Sequence, residues 1–183
     1  MASDTTTHGN WHVVFGTDGS WVAGASPNIP PYLTVTTAAP QLLWSQNPGS
    51  LYAPYQQATG TNRIAACWYS PTELDFSFAI NDAQMHRMAM YFLDWTGLGR
   101  QERVELVDLT TGGVLDARML MDFSGGVYLT WNITGNVRVR VTPYNVNAVV
   151  SAIFFGAPTT AARFVNADST AQGNWNRSYR ADG

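Results

Sequence analysis

Lysine is missing altogether: the ten basic residues are all arginine, and only three of the thirteen acids are glutamate. Charged residues make up 13% of the 183-residue chain, against roughly 25% in ordinary globular proteins. A net charge of −3 with no lysine argues against a nucleic-acid groove, because a phosphate backbone calls for a basic stripe. Cysteine occurs once, at Cys67, which excludes an internal disulfide framework and a cysteine-rich zinc site. Within the apolar stretch Arg63–Tyr69 it reads as a small core residue. No apolar run approaches the roughly 20 residues of a membrane-spanning helix, no signal peptide is recognisable, and the opening Met1–Thr7 reads as a polar leader.

Hydrophobic residues are plentiful at 45%, and polarity is carried mainly by Thr, Ser, Asn and Gln, a mixture that favours strands over exposed helices. Leu74–Ile80 alternates strictly, with Leu74, Phe76, Phe78 and Ile80 on one face. Met85–Leu93 does the same through Met88, Met90 and Phe92. The stretch around Val104 and Leu106 and the stretch Val114–Met121 read as a hairpin, with Gly112 or Gly113 supplying a positive φ. Val127–Ile133 is followed by Val137–Val141, where the valines face inward and Arg138 and Arg140 outward. Ala148–Phe155 reads as one continuous apolar strand. Strands at this spacing with glycine turns and no 3.6-residue period predict an all-β, antiparallel β-sandwich. Prolines 27, 30, 31, 40, 48 and 54 break the first third into short extended pieces.

The two ends of the chain resemble each other. Thr6–Gly19 realigns without gaps on Thr170–Gly183, with Thr, Gly-Asn-Trp and Asp-Gly identical and Phe15 matched by Tyr179, at an offset of 164 residues. The expected organisation is a module over 5–156, a linker over 157–169, and the first-strand motif of a second copy over 170–183. That terminal segment is suited to strand exchange, in its own domain or between copies.

Catalytic signatures are scarce. There is no Gly-x-Ser-x-Gly elbow, no His-Glu-x-x-His and no phosphate-cradling glycine loop. His8 and His12 flank Trp11, but the second copy has Gln172 and Asn176 there, so they read as solvated or structural. Glu73 and Asp75 lie side by side on one strand face rather than across a cleft, and Glu102 and Glu105 are expected to face solvent. Asn81–Asp82 offers at most two oxygens towards a structural calcium, where six to eight are usual; no other cofactor is implied.

Aromatics reach 13%, with seven Trp, eight Tyr and eight Phe. Phe76, Phe78, Phe92, Phe154 and Phe155 lie inside apolar strands and serve the core, while Trp68, Tyr128 and Trp131 lie in strands with either face open to them. Trp21, Tyr32, Trp44, Tyr52, Tyr55, Trp95 and Tyr144 instead lie in polar, Pro- and Gly-rich surroundings, where they either fold back as lids or form a platform for the apolar face of a sugar ring. Asp94-Trp95-Thr-Gly-Leu-Gly-Arg100 brings a carboxylate, an indole and a guanidinium into one loop; the alternative is that Asp94 and Arg100 pair and simply hold it. Leu51–Gln57, with Tyr52 and Tyr55, is the second cluster. The candidate ligand-binding residues are Asp94, Trp95, Arg100, Tyr52, Tyr55, Trp44 and Trp21.

Gly9-Asn-Trp11 with Gly16–Gly19, Arg63–Ser70, Tyr91–Trp95 with Gly99-Arg100, Phe123–Gly126 with Tyr128–Asn132, and Val149–Gly156 together resemble a module repeated in large secreted bacterial proteins. That module is similar to the galactose-binding-like jelly-roll sandwiches used as carbohydrate-binding modules. The resemblance implies a noncatalytic, secreted or cell-surface domain whose partner is a polysaccharide or cell-surface glycan, weak per module and strengthened by tandem copies. The rival expectation is a structural surface repeat that assembles end to end through self-association of residues 170–183.

Overall fold

The computed structural model describes residues 2–158, so the expectations for 170–183 and for most of the linker lie outside the described residues. Strands are numbered in chain order. One five-stranded sheet, A, runs β1 (Ala2–Asp4), β10 (Val127–Ile133), β7 (His86–Phe92), β13 (Ala152–Gly156) and β2 (Gly19–Val22). A second, B, runs β3 (Leu33–Thr36), β6 (Leu74–Ile80), β11 (Asn136–Asn145), β8 (Gln101–Asp108) and β9 (Val114–Leu120). A three-stranded sheet, C, runs β12 (Ala148–Val150), β5 (Ile64–Ser70) and β4 (Gln41–Gln46). Every pairing is antiparallel, and the chain is the β-sandwich its alternation predicts.

Sheets A and B face each other. Leu74, Phe76, Phe78 and Ile80 of β6 and Val137, Val139 and Val141 of β11 are buried, while their alternate neighbours are only partly covered. Phe78 meets Phe155 of sheet A with ring centroids 6.2 Å apart. Trp68 of sheet C closes one side of this core, edge-on to Phe76 at 5.3 Å. The β8–β9 hairpin forms as expected, with Gly112 at φ +72° in its turn; most L residues resist that conformation.

Four departures from the sequence reading have physical causes. Ala2–Asp4 is not a loose leader but the edge strand of sheet A, paired with β10. Trp11–Val13 is a single 3-10 turn rather than part of a first strand. It belongs to a strap, residues 4–19, that crosses the outer face of sheet A. Alternation puts Tyr91, Tyr128 and Phe154 on that outer face, opposite Met88, Met90 and Phe92. Trp11 packs on Phe154 at 4.7 Å and Phe15 stacks on Tyr128 at 4.5 Å. Strand β7 is therefore buried on both faces, beyond what its one-sided alternation implied. The Ala148–Phe155 run breaks at Ser151, whose N–H donates to Tyr91 O at 2.8 Å, so that the segment passes from sheet C into sheet A. Finally, Glu102 and Glu105 are buried rather than solvent-facing: Glu102 turns inward beneath sheet C, and Glu105 lies under the guanidinium groups of Arg103 and Arg140.

Candidate functional site

At the end of strand β7 the chain leaves sheet A at Asp94, whose N–H donates to Phe123 O at 3.2 Å. It turns through Gly97 and Gly99 and enters β8 after Arg100. Asp94 and Arg100 close this loop from inside. Oδ1 of Asp94 accepts from Arg100 Nη1 and its Oδ2 from the Arg100 N–H at 3.1 Å, with the two residues only 2% and 4% exposed. The same Nη1 donates to Thr96 Oγ1 at 2.7 Å. Burial pushes the Asp94 carboxyl up, but the Arg100 N–H and guanidinium outweigh it and hold it below the ordinary carboxylate range.

A second turn, Tyr144–Asn147, is tied to this loop by its two asparagines. Asn145 donates from Nδ2 to Gly99 O at 3.0 Å and accepts at Oδ1 from the Gln101 N–H at 2.7 Å. Asn147 Oδ1 accepts from Arg100 Nε at 3.2 Å. Between them Val146 sits at φ +57°, a left-handed conformation a β-branched residue adopts only when its surroundings impose it, at a cost of about 1–3 kcal/mol. The result is a rim of two mutually braced loops. Tyr144 is 72% exposed, Leu98 56% and Val146 52%, and Trp95 is half-buried with one side packed on the core. The Trp44 ring centroid lies 5.8 Å from the Arg100 guanidinium carbon, covering the ionic pair from sheet C.

Beneath the rim the buried groups are unusual. Glu102 is fully buried; one oxygen accepts from Val149 N–H at 2.9 Å and the other has no hydrogen-bond partner. Burial pushes its carboxyl up to about 8, against the opposing pull of the Val149 N–H and of Arg100. Burial likewise pushes the Cys67 thiol up to about 12, so it is a protonated core group rather than a nucleophile.

The seven residues singled out from the sequence thus divide. Asp94 and Arg100 face each other inside the protein, so the pairing alternative describes them and neither side chain is presented to a ligand. Trp21 is turned onto Trp68, edge-on at 5.0 Å. Tyr55 lies between the Arg63 guanidinium, 3.9 Å from its ring centroid, and His12, at 4.6 Å. Tyr52, 43% exposed, leans edge-on against His8 at 5.0 Å over sheet A. Trp95 and Trp44 gather at the braced rim; Tyr52 and Tyr55 belong to the loop that edges the strap. Sequence reasoning noticed Tyr144 but did not join it to Trp95, and it missed Asn145 and Asn147. The one available signal was the Asn-Val-Asn spacing, which puts two amides on the same side of a turn.

The other acid groups are engaged locally. Asp82 accepts from Gln84 N–H at 2.9 Å and pairs with His86 at 3.0 Å. Glu73 and Asp75 stand near Arg140 and Arg138 at 3.9 and 3.7 Å. Among the described residues no three His, Cys, Asp or Glu side chains converge on a point that would hold a metal ion, and no helix is long and apolar enough to cross a membrane.

No family model and no curated protein matches the sequence. Solved structures do match the sandwich. The native structure of a family 35 carbohydrate-binding module from Clostridium thermocellum matches with a TM-score of 0.38 and 11% identity over 76% of this chain and 98% of that one. TmCBM61, solved in complex with β-1,4-galactotriose, matches with a TM-score of 0.33 and 14% identity over 69% of this chain and 85% of that one. What this chain binds has to be read from its own residues.

Proposed function

We propose that this chain is a noncatalytic glycan-binding module of a secreted or cell-surface multidomain protein, and that its site is the rim formed by residues 94–100 and 144–147. The observation that carries this reading is the contrast between the rim's interior and its exterior. Inside, a buried ion pair and three asparagine hydrogen bonds hold both loops in place; outside, Trp95, Tyr144, Leu98 and Val146 present apolar surface to water. Loops fixed in advance lose little conformational freedom when they meet a ligand. A flat, uncharged face of this kind suits the C–H face of a sugar ring, with Gln101 at its edge to meet hydroxyls. Asp94 and Arg100 act here as positioning residues.

Titration of soluble polysaccharides and a glycan array, run with the wild-type chain and with Trp95→Ala and Tyr144→Ala, tests the site. Each substitution should weaken binding at least tenfold, and Tyr144→Ala should leave the melting temperature within about 1–2 °C, as expected of an exposed residue. Tyr52→Ala is the control from the other aromatic cluster and should leave affinity unchanged. Wild-type affinity in both rim variants would place the site elsewhere, and no binding to any glycan would remove the reading.

A further inference from the structure

We infer that residues 168–183 are a second strap, able to fill the seat on sheet A that residues 4–19 occupy, and so to link this module to a copy of itself or replace its own first strap. This goes beyond glycan binding and does not depend on it. With the seat in view, the match between the ends extends back one turn: Asp4 corresponds to Asp168, and Thr5 to Ser169.

Six residues that shape the first strap or lock it to the seat keep their type in the second segment. Asp4 accepts from the N–H groups of Thr6 and Thr7 and from both hydroxyls, which shapes the entry turn. Gly9 lies so close to the Ala53 carbonyl that a Cβ would collide with it, and its own N–H and C=O bond Leu51 O at 2.9 Å and Tyr55 N at 3.2 Å. The Asn10 amide oxygen accepts from the buried Arg63 guanidinium. Trp11 is fully buried, and its indole N–H donates to Tyr55 O at 2.7 Å. Asp18 accepts from the Tyr32 hydroxyl at 2.9 Å, and its N–H donates to Phe155 O at 3.1 Å. Gly19 lies flush against the Asn28 carbonyl. All of these residue types recur at the offset of 164, and Phe15, stacked on Tyr128, is replaced by another ring, Tyr179. By contrast His12, Val13 and Val14 are exposed, and there the second segment has Asn176, Arg177 and Ser178. The glycine, asparagine and tryptophan that lock the strap against residues 51–63 are thus kept as a set, which a turn motif recurring by chance has no reason to do.

Four contacting positions change: Thr7, whose hydroxyl donates to Asp4, is matched by Ala171; His8, whose Nδ1 lies 3.0 Å from Gly125 O, by Gln172; Thr17, beside Gly156, by Ala181; and Gly16, the costliest, by Arg180. Gly16 has φ +74°, and a Cβ there would lie 2.6 Å from the Trp11 ring; the second segment has Arg180. The first strap therefore holds the seat, and the second is the weaker competitor. Reach is adequate. The eleven residues 157–167 extend to about 36–40 Å, and a domain of this size has a radius of gyration of about 15 Å. They start at Gly156, which touches Thr17 of the first strap.

The test uses the full chain and a thermal melt. Trp175→Ala alone should shift the midpoint by less than about 1 °C. Trp11→Ala should lower it by only a few degrees, because the second strap takes the seat, whereas Trp11→Ala with Trp175→Ala should lower it by about 10 °C, the loss expected for an unreplaced buried tryptophan in a chain of this length. Equal loss in the single and double variants overturns the proposal. If Trp11→Ala does not fold, Asn10→Ala with and without Asn174→Ala gives the same comparison on a milder change. Arg180→Gly in the Trp11→Ala background should raise the midpoint, and no change there counts against the proposal. Size exclusion of Trp11→Ala over a tenfold concentration range then separates seating within one chain (monomer throughout) from seating on a second copy (dimer growing with concentration); either accompanies rescue.

Discussion

Trp11 and Trp95 occupy similar local settings, each in a turn beside glycine and a hydrogen-bonding side chain, yet the fold treats them oppositely. Trp11 is fully buried against Phe154, with its indole N–H satisfied by Tyr55 O. Trp95 is left half in water above an ion pair. The difference lies in what stands beneath them. The outer face of sheet A carries Tyr91, Tyr128 and Phe154, a layer of rings that needs an apolar cover, and the strap supplies it. The rim has polar and charged groups beneath it, so its loops are held by hydrogen bonds and their aromatics remain free. One region is held by packing and the other by buried charge.

The largest expected effect sharpens the packing side. Phe154→Ala removes the floor on which Trp11 rests, in a place no strap can refill, and should cost about 3–5 kcal/mol in urea denaturation. The loss should be the same at low and high salt, because no charge is involved. A loss under 1 kcal/mol would mean that the strap is not packed as described.

On the charged side, Asp94→Asn leaves the Arg100 guanidinium buried without its counter-charge and should cost about 3 kcal/mol. It should also weaken glycan binding at the rim, because Arg100 holds Asn147 and Thr96. A double variant, Asp94→Asn with Arg100→Met, should recover most of the stability without recovering the binding. That separation matters: it is what distinguishes a pair retained to position loops from one retained for stability alone. If the double variant is as unstable as the single one, the loops are held by something other than this pair.

Much of the fold was legible in the sequence, because a two-residue alternation reports which side of a strand meets the core. Leu74–Ile80, Val137–Val141 and the Val104–Leu120 hairpin all fold as their patterns predict. What alternation cannot report is a third layer. Tyr91 alternates away from Met88, Met90 and Phe92, and Tyr128 could face either side; only the strap lying on both shows that this second face is buried. Ser151 was too small a break to announce that Ala148–Phe155 changes sheets. The candidate site was half legible for the same reason. Asp94, Trp95 and Arg100 share one loop and so appear together, but Tyr144, Asn145 and Asn147 reach that loop only through antiparallel pairing of β8 with β11, from more than forty residues away. Glu102 shares the inner face of β8 with Val104 and Leu106, so alternation did signal its burial; its charge argued the other way.

Glu102 provides the finest test of the charge-held region. Burial pushes its folded carboxyl up to about 8 from an ordinary value of 4.5. A group that binds its proton more tightly when folded favours the folded state most at low pH, and that advantage shrinks as the unfolded chain begins to deprotonate. Stability should therefore fall as pH rises from about 4.5 to about 8, by at most about 1.4 kcal/mol per pH unit, and flatten above. Asp94 has the opposite sign: its lowered carboxyl contributes stability that is present above its ordinary value of 3.8 and is lost as pH falls below it. Together they place the optimum between these limits, near pH 4–5. Glu102→Gln keeps an acceptor for Val149 N–H and cannot ionise, so urea midpoints taken from about pH 2 to 9 should lose the alkaline decline while keeping the acid one. Curves for Glu102→Gln and wild type that run parallel across this range would show that the carboxyl is solvated in the folded chain.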